Sequence, residues 1–532
     1  MARTTKKQKE VTLEQVLWNC RVALRSVGST EKNRDAVIGL AFLKFAGDKF
    51  TKQREAIKEE YGDIPEFLED PSFYNAENVF YLEPTARWEH LVKNAGANDI
   101  AVILDQAMAD IEDKNPSLKG SLPQNLYATL GTGSAQLKSL IDEVGKLDSK
   151  YFQVEDLIGR VYEYFLRAYA AAGTKEDGEF YTPASIVKLI AEMIEPYAGT
   201  VYDPCCGSGG MFVQSMKFVD AHHGNRKDVS ILGQESNPDT WRLCKMNLAI
   251  RGIGTNIGPK NASTFTEDLH RDRKVDFIMA NPPFNLKNWR GEDELTKDPR
   301  FAGFAMPPVA NANYAWILHM VSKLDVSHGI AGFLLANGAL NADGVEYEIR
   351  KELIERDLVE AIIVLPRDMF YTTDISVTLW IINRNKKGGE WHGRTLRDRN
   401  GEILFIDLRT WNNNIDEIQI EKGKKKKKVA FTDDHIARVK ALYTSWQNPD
   451  GDYKDVPELC KSASLDGENG IRANNYSLAP SKYVEFIDHD LEIDYATEMT
   501  RIQGEMRKLL AQEKQSQALL AAAFKGIGYG ID

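Results

Sequence analysis

Thr200-Val201-Tyr202-Asp203-Pro204-Cys205-Cys206-Gly207-Ser208-Gly209-Gly210 is a short apolar run that ends in an acid and passes into a glycine-rich turn. A helical apolar stretch follows at once. Glycines at a strand-to-helix turn let the backbone bend sharply and come close to a ligand. The helix that opens there offers free N–H groups to polar or anionic atoms. The turn lacks the Lys-Ser/Thr ending of a phosphate-binding loop, which disfavours ATP.

Working outward, Glu235 closes the next apolar run, Ile231-Leu232-Gly233-Gln234. Doubly wound folds place an acid at about this distance to accept from ribose hydroxyls. Asn281-Pro282-Pro283-Phe284 then follows the apolar run at 276–280. Two prolines stiffen the backbone and remove two donors, so carbonyl oxygens stay available beside the Asn281 amide oxygen. Two acceptors converging on one planar amine favour localising its lone pair, which makes the nitrogen nucleophilic. Phe284 offers a face for stacking a base. Asn281 cannot act as a general base, because its side chain does not titrate.

These motifs sit in a region of alternating short apolar runs and helical stretches. Strands are expected at 200–203, 230–235, 276–280, 329–336, 358–365, 376–383 and 403–407. That alternation implies an α/β domain with a mostly parallel sheet, placed at 151–410. The short connection between 358–365 and 376–383 suits a hairpin, so an antiparallel edge is expected. A helix over 154–172 and another opening at Thr182-Pro183 lead into the domain. Residues 1–150 read as helical, with Val16, Leu17, Cys20 and Leu24 at helical spacing. Residues 411–480 read as a polar connecting region. It holds Lys424-Lys425-Lys426-Lys427-Lys428, either a solvated loop or a phosphate-contacting one. Residues 481–532 carry a long helix from about 490, with Tyr495, Met499, Ile502, Met506 and Leu509 in a 4-3-4-3 spacing. That helix either packs on the body of the chain or docks a partner.

Length and composition bound the reading. A chain of 532 residues has room for three or four domains. With 43% hydrophobic and 27% charged residues it is neither a disordered chain nor a fibre. A net charge of −11 counts against a chain that grips nucleic acid alone, since phosphate contacts need a basic surface. Five cysteines without CxxC or Cys/His spacing fit a reducing compartment and give no metal site. The basic start has no apolar stretch behind it, and no run is long enough to span a bilayer. A cytoplasmic protein without a membrane partner is expected. His222, His223, His270 and His319 read as structural or exposed.

The glycine-rich turn followed by Asn281-Pro282-Pro283-Phe284 resembles the amino-methylating DNA methyltransferases that use S-adenosylmethionine. Gly178-Glu179-Phe180-Tyr181-Thr182-Pro183, Asn311-Ala312-Asn313-Tyr314-Ala315-Trp316-Ile317 and Leu365-Pro366-Arg367-Asp368-Met369-Phe370 extend the likeness. So does the ending Lys525-Gly526-Ile527-Gly528-Tyr529-Gly530. Together they are similar to the methylation subunit of type I restriction–modification systems. The resemblance implies a Rossmann-like class I S-adenosylmethionine-dependent methyltransferase sheet acting on the N6 amine of adenine in DNA. Asn281, Pro282, Pro283 and Phe284 would be catalytic. Glu179, Phe180, Tyr181, Thr182, Pro183, Ala184, Asp203, Gly207, Ser208, Gly209, Glu235 and Ser263 would bind the cofactor. Two copies would flank one specificity subunit, docked through the terminal helix. A motor-nuclease restriction subunit is compatible with this reading, though nothing in the chain demands it.

One position departs from the pattern. The family often has an acid near the cofactor adenine where this chain has Ser263, and Glu267 or Asp268 is the alternative. Two other function classes fit parts of the chain. Asn-Pro-Pro-aromatic also serves enzymes that methylate cytosine amines, RNA amines or a protein glutamine. A non-catalytic scaffold is opposed by the intact Asn281-Pro282-Pro283-Phe284.

Overall fold

The computed structural model describes residues 13–24, 29–147, 182–254, 256–370, 373–421, 424–487 and 495–526, with positions 27, 164, 528 and 529. Alternation along the central strands decides the layering. In β3 (Phe277–Ala280), Phe277 and Met279 join one apolar core while Ile278 and Ala280 join another. The same split runs through β4 (Ile330–Ala336), where Ile330 and Leu334 face one side and Ala331, Phe333 and Leu335 the other. Side chains of a strand point alternately to opposite faces, so both faces of this sheet are buried.

Eight strands form that sheet. To β3 and β4 it adds β1 (Gly199–Asp203), β2 (Val229–Gly233), β5 (Val359–Val364), β6 (Val377–Asn383), β9 (Glu402–Asp407) and β12 (Cys460–Ser464). Their order is β12-β9-β5-β6-β4-β3-β1-β2, and β7 (Gly389–Trp391) and β8 (Arg394–Leu396) form a separate antiparallel ribbon. The β1–β2, β1–β3, β3–β4 and β5–β9 pairs are parallel, whereas β6 and β12 run against their neighbours. An isolated parallel bridge, Leu232 to Asn256, extends the sheet beyond β2. Helices Ala184–Ile194, Gly210–Ala221, Pro238–Ile250 and Asp433–Gln447 cover one face. Helices Asn313–Lys323 and Val345–Glu355 cover the other.

All seven expected strands are present, with ends shifted by a residue or two. The antiparallel edge is corrected. β5 and β6 do form an antiparallel pair, but β6 lies inside the sheet between β4 and β5. Every residue of β6 is buried, and a strand apolar on both faces is stable only with neighbours on both sides. The antiparallel edge is β12, whose mixed burial suits an edge.

Residues 411–480 are also corrected: they are not a connector. Helix Asp433–Gln447 buries Ile436, Val439, Tyr443 and Trp446, and is capped by Thr432 and His435. The Trp446 indole N–H donates to Ser462 Oγ at 2.9 Å, joining that helix to β12. The sheet therefore runs past the expected limit at 410. The lysine run is strand β11 (Lys424–Val429), paired antiparallel with β10 (Ile415–Glu421), and not a loop. Lys428 is buried and meets Asp374 at 2.5 Å.

Among the described residues, 13–147 hold helices and no strand. Helices Thr30–Tyr61, Ile100–Lys114 and Ser134–Val144 share one core, which Leu243 and Met246 of helix Pro238–Ile250 complete. The helix expected over 154–172 lies outside the described residues apart from Tyr164. The terminal helix, Tyr495–Gly526, buries none of its residues, so the expectation that it packs on the body of the chain is not met. Met506, Leu509 and Leu519 stay exposed on it. No helix among the described residues is long and apolar enough to cross a membrane.

Arg399 and Glu360 form a fully buried ion pair at 2.7 Å that ties the β9 entry to β5, and Gln447 also donates to Glu360. Arg399→Met leaves a buried carboxylate without its cation and is expected to cost about 3–5 kcal/mol in denaturant unfolding. A loss below about 1 kcal/mol, the range of a surface pair, would contradict this.

Candidate active site

β1 lies between β2 and β3, so the loops after all three open at one edge of the sheet. Ligands of open α/β sheets bind at such a point, beyond the carboxyl ends of the strands. A cavity of about 550 Å³ lies there, lined by Thr182, Asp203, Gly207, Ser208, Glu235, Ser263, Asn281, Pro283 and Phe284 among others. That volume is in the range of small-molecule sites.

The loop after β1 is pinned from several sides. The Cys205 N–H donates to Asp203 Oδ1 at 3.0 Å, and the Cys206 N–H donates to the Gln234 carbonyl at 2.9 Å. Gly209 has φ +84, where a side chain is strained, and a Cβ there would lie 3.0 Å from Cys244 Sγ. The Gly207 N–H donates to Glu235 Oε2 at 3.0 Å, and the Asn237 N–H to Glu235 Oε1 at 2.8 Å. Two carboxylates thus border the cavity. Burial pushes the Asp203 carboxyl up from 3.8 to about 7, against the backbone hydrogen bond from Cys205.

Ser263 lines the cavity; Glu267 and Asp268 do not. Asp268 is consumed in a buried ion pair with Lys323 at 2.6 Å, and Glu267 pairs with Lys260. Arg300 holds the Ser263 loop in place, donating to the carbonyls of Thr264 and Phe265 at 2.7 and 2.6 Å while paired with Asp298.

The turn after β3 brings Asn281 to the same cavity. Asn281 Nδ2 donates to Thr182 Oγ1 at 2.9 Å. Asn281 Oδ1 is buried and has no hydrogen-bond partner among the described residues. Asn285, with φ +55, leaves the turn through a clamp of asparagines. Its N–H donates to Asn313 Oδ1 and its Oδ1 accepts from Asn313 Nδ2, each at 2.9 Å. Phe284 meets Phe370 edge-on, with ring centroids 6.2 Å apart.

Of the other expected site residues, Pro183 and Ala184 start helix Ala184–Ile194, and Pro282 is buried within the turn. None of them lines the cavity, nor does Gly209. Glu179, Phe180 and Tyr181 lie outside the described residues. Sequence reasoning missed Gln234, Phe265, Asn285 and Trp316. Gln234, fully buried, ties the end of β2 to the segment that leads into β3, accepting from the Leu269 N–H and donating to the carbonyls of Ala262 and Glu267. A neutral polar residue at the buried end of an apolar run was the available signal. His319 and His270 are structural: His319 bonds Tyr202 and Arg300, and His270 bonds the Gly233 carbonyl.

With this geometry in view, the comparisons are specific. The N-6 DNA methylase profile matches residues 153–491, and the N-terminal domain profile of type I methylase subunits matches 13–144. The chain is 40% identical over 84% of its length to the full-length type I restriction enzyme HindI methylase subunit of Haemophilus influenzae. It is 33% identical to the MjaIX methylase subunit of Methanocaldococcus jannaschii, over 97% of this chain and 91% of that one.

The chain belongs to the methylase subunits of type I restriction enzymes.

A solved type I methyltransferase subunit from Streptococcus thermophilus shares the fold, with TM-score 0.71 and 24% identity over 90% of this chain and all of that one. The sheet is that of the class I methyltransferases, with one strand inserted antiparallel between two parallel neighbours.

The protonated Asp203 carboxyl favours the fold below about 3.8, and that contribution is lost as pH rises through about 7. Asp203→Asn keeps the acceptor for Cys205 and removes the charge. Its melting temperature, without ligand, is expected to rise relative to wild type between pH 5 and pH 8. A difference that stays constant with pH would contradict the assignment.

Proposed function

We propose that this chain transfers a methyl group from S-adenosylmethionine to the N6 amine of adenine in DNA. The observation that carries the reading is the buried Asn281 Oδ1, an acceptor without a partner among the described residues, on the cavity it shares with Asp203 and Glu235. A buried acceptor left unpaired is costly, so it is explained by a donor that arrives with the substrate.

The residues present fit the cofactor. Glu235 would accept from the ribose hydroxyls, and Ser263 would meet the adenine end. The Gly207-Ser208-Gly209 turn lets the backbone come close to it, with Asp203 beneath. Glu179, Phe180, Tyr181, Thr182, Pro183 and Ala184 would close the methionine end. The bound cofactor would supply an electrophilic methyl on a sulfonium, whose sulfur leaves as a neutral thioether and so needs no general acid. The target adenine must leave the duplex, because its amine is otherwise paired. Phe284 would stack on it, held by Pro283. Asn281 Oδ1 and the Pro282 carbonyl would accept from the two N–H groups of the amine. Held by these two acceptors, the amine nitrogen would present its lone pair toward the cofactor and would give up its surplus proton to solvent. Positioning does most of the work.

The division of labour follows the charge. At −11 the chain is poorly suited to hold DNA alone, and site reading is assigned to a specificity subunit with two copies of this chain beside it. The exposed apolar side chains of helix Tyr495–Gly526 support docking there. The helical unit within 1–150 would clamp DNA or meet the second copy; a restriction subunit is compatible with this assembly, though nothing in the chain demands it.

Asn281→Ala, assembled with its partner, is expected to lose methyl transfer by ~100-fold or more while still binding cofactor in calorimetry. Transfer near the wild-type rate would remove the catalytic assignment. Truncation before Tyr495 is expected to leave the melting temperature unchanged and abolish co-purification with the specificity subunit. A truncated chain recovered at full stoichiometry would refute the docking role.

A further inference from the structure

We infer that Thr182 is a positioning residue for Asn281: its hydroxyl holds the amide so that the oxygen, not the nitrogen, faces the substrate amine. This rests on the adenine methyltransferase reading above and assigns Thr182 a task beyond the cofactor.

The two residues are 99 positions apart and meet at 2.9 Å, Asn281 Nδ2 donating to Thr182 Oγ1. An asparagine amide is nearly symmetric in shape, so packing alone barely distinguishes its two orientations. They differ entirely in chemistry. With the oxygen forward, Asn281 accepts from an amine; with the nitrogen forward, donor faces donor and the amine is repelled. The hydroxyl accepts from Nδ2, so when an amine donates to Oδ1 both ends of the amide have a partner, whereas the flipped amide would set its N–H groups against the amine. Donation from Nδ2 also polarises the amide and makes Oδ1 a stronger acceptor, because hydrogen bonds in a chain reinforce one another.

Thr182 is well founded for this. It precedes Pro183, whose fixed φ leads into helix Ala184–Ile194, and Pro183 accepts from the Ile186 N–H at 2.9 Å. That helix buries Ile186, Val187, Leu189 and Ile190 against the sheet. The hydroxyl is thus fixed to the same core that carries β3 and Asn281. Asn281 Oδ1, buried and unpartnered among the described residues, is the atom this arrangement leaves for the substrate.

The test uses the full chain with its partner subunits, S-adenosylmethionine, and genomic DNA from cells lacking the gene. Methyl incorporation is followed across cofactor concentrations. Thr182→Val keeps shape and removes the hydroxyl; its rate at saturating cofactor is expected to fall ~10- to 100-fold, with KM for cofactor within ~3-fold of wild type. Thr182→Ser restores the hydroxyl and is expected within ~3-fold of the wild-type rate. Thr182→Ala serves in place of the valine variant if that chain does not fold. A hydroxyl-free variant at wild-type rate, or one rescued wholly by more cofactor, overturns the inference. So does a serine variant as slow as the valine one. Asn281→Ala separates the two levels. If it is inactive while Thr182→Val is fully active, only the positioning role fails; if it is active, the underlying reading fails.

Discussion

The parallel pairing of β1 with β3, Val201 opposite Phe277 and Tyr202 opposite Ile278, is the constraint on which the rest depends. It puts the ends of two strands side by side, so the turn at Asp203 and the turn at Asn281 open into one cavity. A slip of one residue would turn every side chain of β3 to the opposite face. Phe277 and Met279 would then exchange places with the smaller pair Ile278 and Ala280, overfilling one core and leaving voids in the other. The register that buries the core is therefore the one that assembles the site.

Around that pairing, polar side chains do the fine placement. Gln234 ties the end of β2 to the segment that leads into β3, Arg300 anchors the Ser263 loop, and Asn313 clamps the exit of the turn after β3. Each is buried or nearly so and bonds at least one backbone atom of a loop. Asn281 Oδ1 is the contrast, a buried acceptor left open on the cavity, where the Trp316 indole N–H is also without a partner among the described residues.

The sheet was largely legible because its strands are dense apolar runs bounded by turns, as at 276–280 and 329–336. The position of β6 was not, since a short connection specifies pairing with β5 but says nothing about the strand on its other side. β12, Cys460-Lys461-Ser462-Ala463-Ser464, has only Cys460 and Ala463 buried and carries no apolar run to read. The lysine strand reads as solvent-facing by composition; cross-strand acids and Asp374 make it a ribbon instead. In the site, Asp203, Glu235 and Asn281 were legible from their places at the ends of apolar runs, and Ser263 from the family resemblance alone. Gln234, Arg300 and the Thr182–Asn281 bond were not, because each acts through a contact distant in sequence.

The net charge of −11 counts against a chain that holds nucleic acid alone. It agrees with the proposal that catalysis and site reading are divided between chains. The most direct measurement is mass spectrometry of nucleosides in DNA from cells carrying the gene and its partner, against cells with either deleted. The account predicts N6-methyladenine that appears only when both are present. N4-methylcytosine in its place, or DNA unchanged by the deletion, would contradict it.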